Sequence, residues 1–178
     1  TKIIESCEKI GLDYYDFLIW HKPHRQFEKV YGSYPYPTNY QFNMVFEYIL
    51  IFRKWVNNKY FNTRKLPAPE IKEKSIIDKK TWYDWVSNVW EITPVIKYNS
   101  KGQNKRGHVA PFPEEIPYRL IKIYSFQEDI VLDPFMGSGT VAIAAKKLNR
   151  HYIGYELNEE YYNLCLRNIS KMSLRLDL

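Results

Sequence analysis

Cysteine is scarce in this chain: Cys7 and Cys165 are the two in 178 residues. They lie far apart and show no metal-ligand spacing, so neither a metal site nor a disulfide framework is expected. No apolar run is long enough to cross a bilayer, and no secretory leader pattern opens the sequence. The expectation is a cytoplasmic chain with no membrane partner. Internal repeats are absent, which excludes solenoid architectures. The first residue is Thr1, inside a stretch, Lys2 to Ile10, that reads as a helix. That start suggests preceding residues or a cleaved chain.

The chain is 45% hydrophobic and 26% charged, ordinary for a globular domain with a real core. Aromatic residues are abundant at 17%, with 16 tyrosines and 5 tryptophans. Such rings fill cores and also stack on exposed bases. The formal charge of +6 and pI near 9.1 favour a polyanionic partner, though a solvated Lys-rich surface gives the same numbers.

Tyr14 to Trp20 is rich in strand formers and follows Gly11, a helix stop. Val45 to Phe52 is a second strand of the same kind, and the two are most simply an antiparallel pair. His21 to Asn43 between them is a long basic, aromatic loop. Trp82, Trp85, Val86 and Trp90 recur at helical spacing, which reads as a helix contributing to the core. Tyr98 to Gly107 reads as a basic loop. Pro113-Glu114-Glu115 opens a helix with Leu120, Ile121 and Tyr124 on its apolar face. Ile130-Val131-Leu132 is a short strand, and Thr140 to Leu148 is an Ala-rich helix ended near Asn149. Tyr152 to Tyr155 is a strand. Asn158 can cap a last helix with Tyr161, Leu164, Cys165, Ile169 and Met172 on one face.

Residues 130–156 therefore spell strand, glycine turn, helix, strand, acid. Gly137 and Gly139 permit a tight turn and a close ligand approach. The helix behind them presents free N–H groups and a positive dipole end. Glu156 stands 19 residues after Gly137, where an acid can accept the ribose hydroxyls of an adenosine-containing cofactor. The run Gly137 to Ala142 also satisfies the loose G-x-G-x-x-A dinucleotide pattern. Asp133 shifts the balance. A carboxylate there would repel a pyrophosphate and suit the cationic groups of S-adenosylmethionine. Only 22 residues follow Glu156, too few to complete a dinucleotide-binding sheet downstream, so a permuted order is expected.

Leu132-Asp133-Pro134-Phe135-Met136-Gly137-Ser138-Gly139-Thr140 resembles cofactor motif I of amino-methylating DNA methyltransferases. Gly154-Tyr155-Glu156-Leu157 resembles their motif II, and His108-Val109-Ala110-Pro111-Phe112-Pro113 their motif X. Trp20-His21-Lys22-Pro23 and Phe46-Glu47-Tyr48-Ile49 resemble the region after the catalytic strands. The order is that of the β group. The resemblance covers roughly 14–52 and 85–170; residues 53–84 match nothing nameable.

This resemblance implies a Rossmann-like S-adenosylmethionine-dependent α/β fold, permuted and incomplete, with an inserted recognition region. Its expected parts are 1–52 (the end of a catalytic subregion), 53–107 (target recognition and a basic loop) and 108–178 (cofactor binding). It implies that Asp133, Phe135, Gly137, Ser138, Gly139 and Thr140 hold the methionine portion and Glu156 the ribose, with Pro134 also in the cofactor site. Asn158 would reach the adenine edge. His108, Ala110, Pro111, Phe112 and Pro113 would line the cofactor pocket. The activity implied is methyl transfer to the exocyclic amino group of cytosine (N4) or adenine (N6) in a specific sequence, in a restriction-modification setting, on a flipped base.

The family's catalytic motif is Asp, Asn or Ser followed by Pro-Pro and an aromatic residue. No Pro-Pro pair exists in these 178 residues; Tyr34-Pro35-Tyr36-Pro37 is the nearest string. No catalytic residue is assigned here. The catalytic segment is expected N-terminal to Thr1, on the same polypeptide or a partner, and the chain alone is expected to be inactive. Double-stranded DNA is the expected partner, through Lys22, His24, Arg25, Lys29, Lys101, Lys105 and Arg106; a homodimer is left open. An RNA-directed enzyme and a non-catalytic cofactor-binding subunit are the alternatives.

Overall fold

A computed structural model of the chain describes residues 2–23, 44–54, 66–95 and 112–176, with side chains to Met172 in the last stretch. Two compact units interleave in sequence. One comprises Thr1–Lys65 and Trp85–Pro94, the other Leu66–Asp84 and Val95–Leu178. The described part of 53–107 is therefore shared between the units and forms no body of its own.

The first unit begins with helix α1 (Lys2–Lys9). The helix stops where Gly11 takes φ +82, its N–H bonded to the Glu8 carbonyl at 3.0 Å. Strand β1 (Leu12–His21) then pairs antiparallel with β2 (Phe46–Lys54), as the two β-rich runs predict. A bulge between Tyr14 and Asp16 shifts the register. On its other side β1 pairs in parallel with β3 (Val89–Glu91), giving the order β2-β1-β3. Alternation along each strand places Leu18, Trp20 and Trp90 on one face, and all three are buried. The indole N–H of Trp20 donates to the Ile92 carbonyl at 2.7 Å, so a buried polar group is satisfied.

The tryptophans do not share one helix. Helix α3 (Lys79–Trp85) ends at Trp85, and Trp90 lies in a strand, not a helix. Ser87 bonds Val89 through its hydroxyl, breaking the helical run. Trp90 then gains a parallel partner in Trp20, which outweighs its i,i+4 relation to Val86. Trp82, expected in the core, is 57% exposed.

In the second unit, α2 (Pro69–Lys74) starts on a proline, where no intrahelical N–H is needed. It is tied to a later loop: the Gln127 N–H donates to the Ser75 hydroxyl at 2.8 Å. Helix α4 (Glu115–Tyr124) tolerates Pro117 because that residue lies in its first turn. Then come β4 (Ile130–Asp133), α5 (Thr140–Lys147), β5 (His151–Gly154) and α6 (Glu159–Leu176). Strands β4 and β5 pair in parallel, Leu132 beside Ile153 and Asp133 beside Gly154. This is the βαβ unit that the sequence predicts. No helix among the described residues is long and apolar enough to cross a membrane.

Two small cores hold this unit. Ile121 packs with Ala144, Ala145 and Leu148, joining α4 to α5. Met136, Ala142 and Cys165 pack together, joining the glycine turn and α5 to α6. Helix α5 ends in a Schellman motif. Asn149 takes φ +56, the Asn149 N–H reaches Lys146 at 3.1 Å and the Arg150 N–H reaches Ala145 at 2.8 Å. The buried guanidinium of Arg150 then donates to the Leu148 carbonyl and to both oxygens of Ser125, fastening the ends of α4 and α5 together.

Candidate functional site

The site grows from the C-terminal ends of β4 and β5. Beyond Asp133 the parallel pairing continues through the backbone: the Tyr155 N–H donates to the Asp133 carbonyl at 3.0 Å, and the Met136 N–H to the Tyr155 carbonyl at 2.9 Å. The turn Met136 to Gly139 closes with the Gly139 N–H on the Met136 carbonyl at 2.9 Å. Gly137 has φ +50 and Gly139 φ +86, the left-handed region that side chains rarely adopt. At Gly139 a second constraint applies. A Cβ there would sit 2.5 Å from the Cys165 sulfur. Glycine is required by backbone and by space together.

Helix α5 starts at this turn without a side-chain cap. Its first intrahelical bond runs from the Ile143 N–H to the Gly139 carbonyl at 3.0 Å. The N–H groups of Thr140, Val141 and Ala142 precede that bond and have no helical acceptor. They form the positive end of the helix, beside the turn.

Two carboxylates flank the turn. Asp133 Oδ1 accepts the Phe135 N–H at 3.0 Å, which folds the chain out of the strand. Glu156 Oε2 accepts the Gly137 N–H at 2.8 Å, and its Oε1 accepts the Asn158 N–H at 2.7 Å. Each oxygen keeps a second lone pair for a ligand. Asn158 caps α6 as predicted, its Oδ1 accepting the Tyr161 N–H at 3.1 Å. Phe135 is 88% exposed and Leu157 is fully exposed, so apolar surface borders the acids. The field of the acids is felt at Cys165. Burial pushes its thiol pKa above 9.0, and Asp133 and Glu156 add to the rise.

The structure thus brings together Asp133, Pro134, Phe135, Gly137, Ser138, Gly139, Thr140, Glu156 and Asn158. Pro113 is buried at the start of α4, its carbonyl accepting the Ile116 N–H at 3.1 Å, and Phe112 beside it is exposed. No described hydrogen bond ties either to the turn. His108, Ala110 and Pro111 lie outside the described residues, as do His24, Arg25, Lys29, Lys101, Lys105 and Arg106. Lys22 is described. Its ammonium pairs with Glu47 and lies 4.5 Å from the Trp20 ring centre, so a phosphate would have to compete for it.

Sequence reasoning missed Asn168. Its side-chain amide donates to the Ser138 carbonyl at 2.9 Å. A polar residue one turn after Cys165, beside Ile169 on the apolar stripe of α6, was the available signal.

The sequence matches the family described as DNA methylase (N6_N4_Mtase) over residues 1–167. The chain belongs to this N6/N4 DNA methylase family. Type II methyltransferase M.MjaI of Methanocaldococcus jannaschii is 38% identical over 159 residues, covering 89% of this chain and 50% of that protein. M.MthZI of Methanothermobacter thermautotrophicus is 35% identical over 161 residues, covering 90% and 44%. The chain thus spans about half the length of these curated relatives. Among solved structures, a DNA modification methylase of Thermus thermophilus complexed with S-adenosyl-L-methionine superposes with a TM-score of 0.71 at 30% identity, covering 96% of this chain and 58% of that one. PvuII DNA methyltransferase, cytosine-N4-specific, shares the fold with a TM-score of 0.62 at 17% identity, covering 97% of this chain and 60% of that one. The architecture is an α/β methyltransferase fold.

Proposed function

We propose that this chain is the S-adenosylmethionine-binding part of a sequence-specific DNA amino-methyltransferase of a restriction-modification system. The observation that carries the reading is the acid–turn–acid arrangement: Asp133 and Glu156 on either side of a turn with two left-handed glycines. Two carboxylates around a helix N-terminus disfavour a pyrophosphate and favour a ligand bearing positive charge and ribose hydroxyls. The donor set fits S-adenosylmethionine, whose sulfonium supplies an electrophilic methyl group when bound. Asp133 and Phe135 would hold its cationic methionine end, Glu156 would accept the ribose hydroxyls, and the exposed Leu157 would shield the adenine. Asn158 retains its amide N–H groups for the adenine edge. His108, Ala110, Pro111, Phe112 and Pro113 would close the pocket.

The acceptor is the exocyclic nitrogen of cytosine or adenine on a base turned out of the duplex. An amine of this kind is a weak nucleophile, so holding it in line with the methyl group is the main task. No Pro-Pro-aromatic string occurs in these 178 residues, so that task falls to residues outside them. The order of parts is permuted, cofactor motif last, and 53–107 serves target recognition. His24, Arg25, Lys29, Lys101, Lys105 and Arg106 contribute phosphate contacts.

The test is to express the chain together with a segment carrying the Pro-Pro-aromatic motif and to map modified bases on plasmid DNA. Methylation at one sequence is expected with the segment and none without it. Unmodified DNA in both cases would refute the enzyme reading, while N4 or N6 modification would assign the target base.

A further inference from the structure

The peptide groups of the glycine turn are not held equally. The peptide between Met136 and Gly137 is fixed at both ends, its N–H on Glu156 and its carbonyl accepting the Gly139 N–H. The peptide between Ser138 and Gly139 is also fixed at both ends, its N–H on Met136 and its carbonyl on the Asn168 amide. Between them the Gly137 carbonyl and the Ser138 N–H have no partner among the described residues. A peptide with both polar ends open, flanked by two fixed ones, is a preorganised ligand contact.

We propose that Asn168 is a positioning residue for the methionine end of the cofactor: by holding the Ser138 carbonyl, it presents the Gly137–Ser138 peptide to the ligand. This rests on the cofactor reading above. Geometry on α6 supports it. Asn168 lies three residues after Cys165, whose sulfur fills the space beneath Gly139. Helix α6 therefore touches the turn at two successive points, one by packing and one by hydrogen bond. Its own start is tied to the opposite side of the turn, because Glu156 joins Gly137 to Asn158. Without the amide, the Ser138–Gly139 peptide keeps only its N–H anchor and can rotate about the bonds to the Ser138 and Gly139 Cα atoms.

The test separates positioning from folding by ligand. S-Adenosylhomocysteine carries the amino-acid end; 5′-methylthioadenosine lacks it. Both are titrated calorimetrically into the protein and into Asn168→Asp and Asn168→Ser. Aspartate has the same shape without the donor, and serine is too short to reach. Affinity for S-adenosylhomocysteine is expected to fall on the order of fivefold to tenfold, and that for methylthioadenosine to stay within about twofold. Equal losses for the two ligands, or no loss for either, would overturn the proposal.

Hydrogen exchange on the unaltered protein gives a second readout should the variants fail to fold. S-Adenosylhomocysteine should slow the Ser138 amide and methylthioadenosine should not. Equal slowing by both overturns the proposal. If the unaltered protein binds neither ligand, the cofactor reading fails first and the proposal with it.

Discussion

Glu156 accepts the backbone N–H of Gly137 at 2.8 Å, across 19 residues of sequence. The acid at the end of β5 therefore builds the turn as well as facing a ligand. Replacing Glu156 with Gln keeps the shape and removes the charge. The amide has one oxygen where the carboxylate has two, so either Gly137 or Asn158 loses its acceptor. Cofactor affinity measured by calorimetry should fall on the order of tenfold or more, the range for a charge-assisted bond. Unchanged affinity would remove Glu156 from the site.

Gly139 and Cys165 form a coupled pair. Gly139→Ala adds a Cβ in the left-handed region and against the Cys165 sulfur. The expected cost is about 2–4 kcal/mol, combining backbone strain with overpacking. Trimming the sulfur in the double variant Gly139→Ala/Cys165→Ala should return about 1–2 kcal/mol of it, because the clash goes and the strain stays. Urea unfolding of the full cycle checks this; simple additivity would show that the two residues do not meet.

Much of this site is written locally. Strand, glycine turn, helix and acid each leave a short signature, and 130–156 folds as those signatures say. Asn158 likewise announces its cap by standing before two acids. What stayed hidden depends on partners distant in sequence. Trp90 looked helical because its true neighbour, Trp20, is 70 residues away. Asn168 went unmarked because its acceptor is a backbone carbonyl 30 residues earlier. Arg150 gave no sign that its charge would be buried, since its acceptors are carbonyls created by the ends of two helices.

The buried Arg150 leads to a stability prediction. Arg150→Met leaves the Ser125 and Leu148 carbonyls without their donors. A loss of about 2–4 kcal/mol is expected from chemical denaturation. Arg150→Lys should recover only part of it, since one ammonium cannot reproduce the fork. A neutral Arg150→Met would mean that water replaces the guanidinium at no cost.

Cys165 predicts a pH dependence. Burial, then Asp133 and Glu156, hold its folded pKa above the unfolded value of 9.0. Above pH 9.0 the unfolded chain gives up this proton while the folded chain keeps it. Stability should therefore decline as pH rises through that range, and the decline should lessen in Cys165→Ala. Cys7, on a helix with no buried residues, should react with iodoacetamide in the native protein, and Cys165 only after unfolding. Rapid native labelling of Cys165 would contradict its burial.

Met136 and Gly154 repeat the arrangement of Cys165 and Gly139. In each pair a sulfur side chain occupies the space that a Cβ on the glycine would need. For a drifting gene this sets an order of events. Alanine at either glycine meets its sulfur partner, and at Gly139 it also carries the left-handed strain, so the change is easier once the partner has already shrunk. Lineages of this chain should therefore change position 165 before 139 and position 136 before 154, and seldom the reverse.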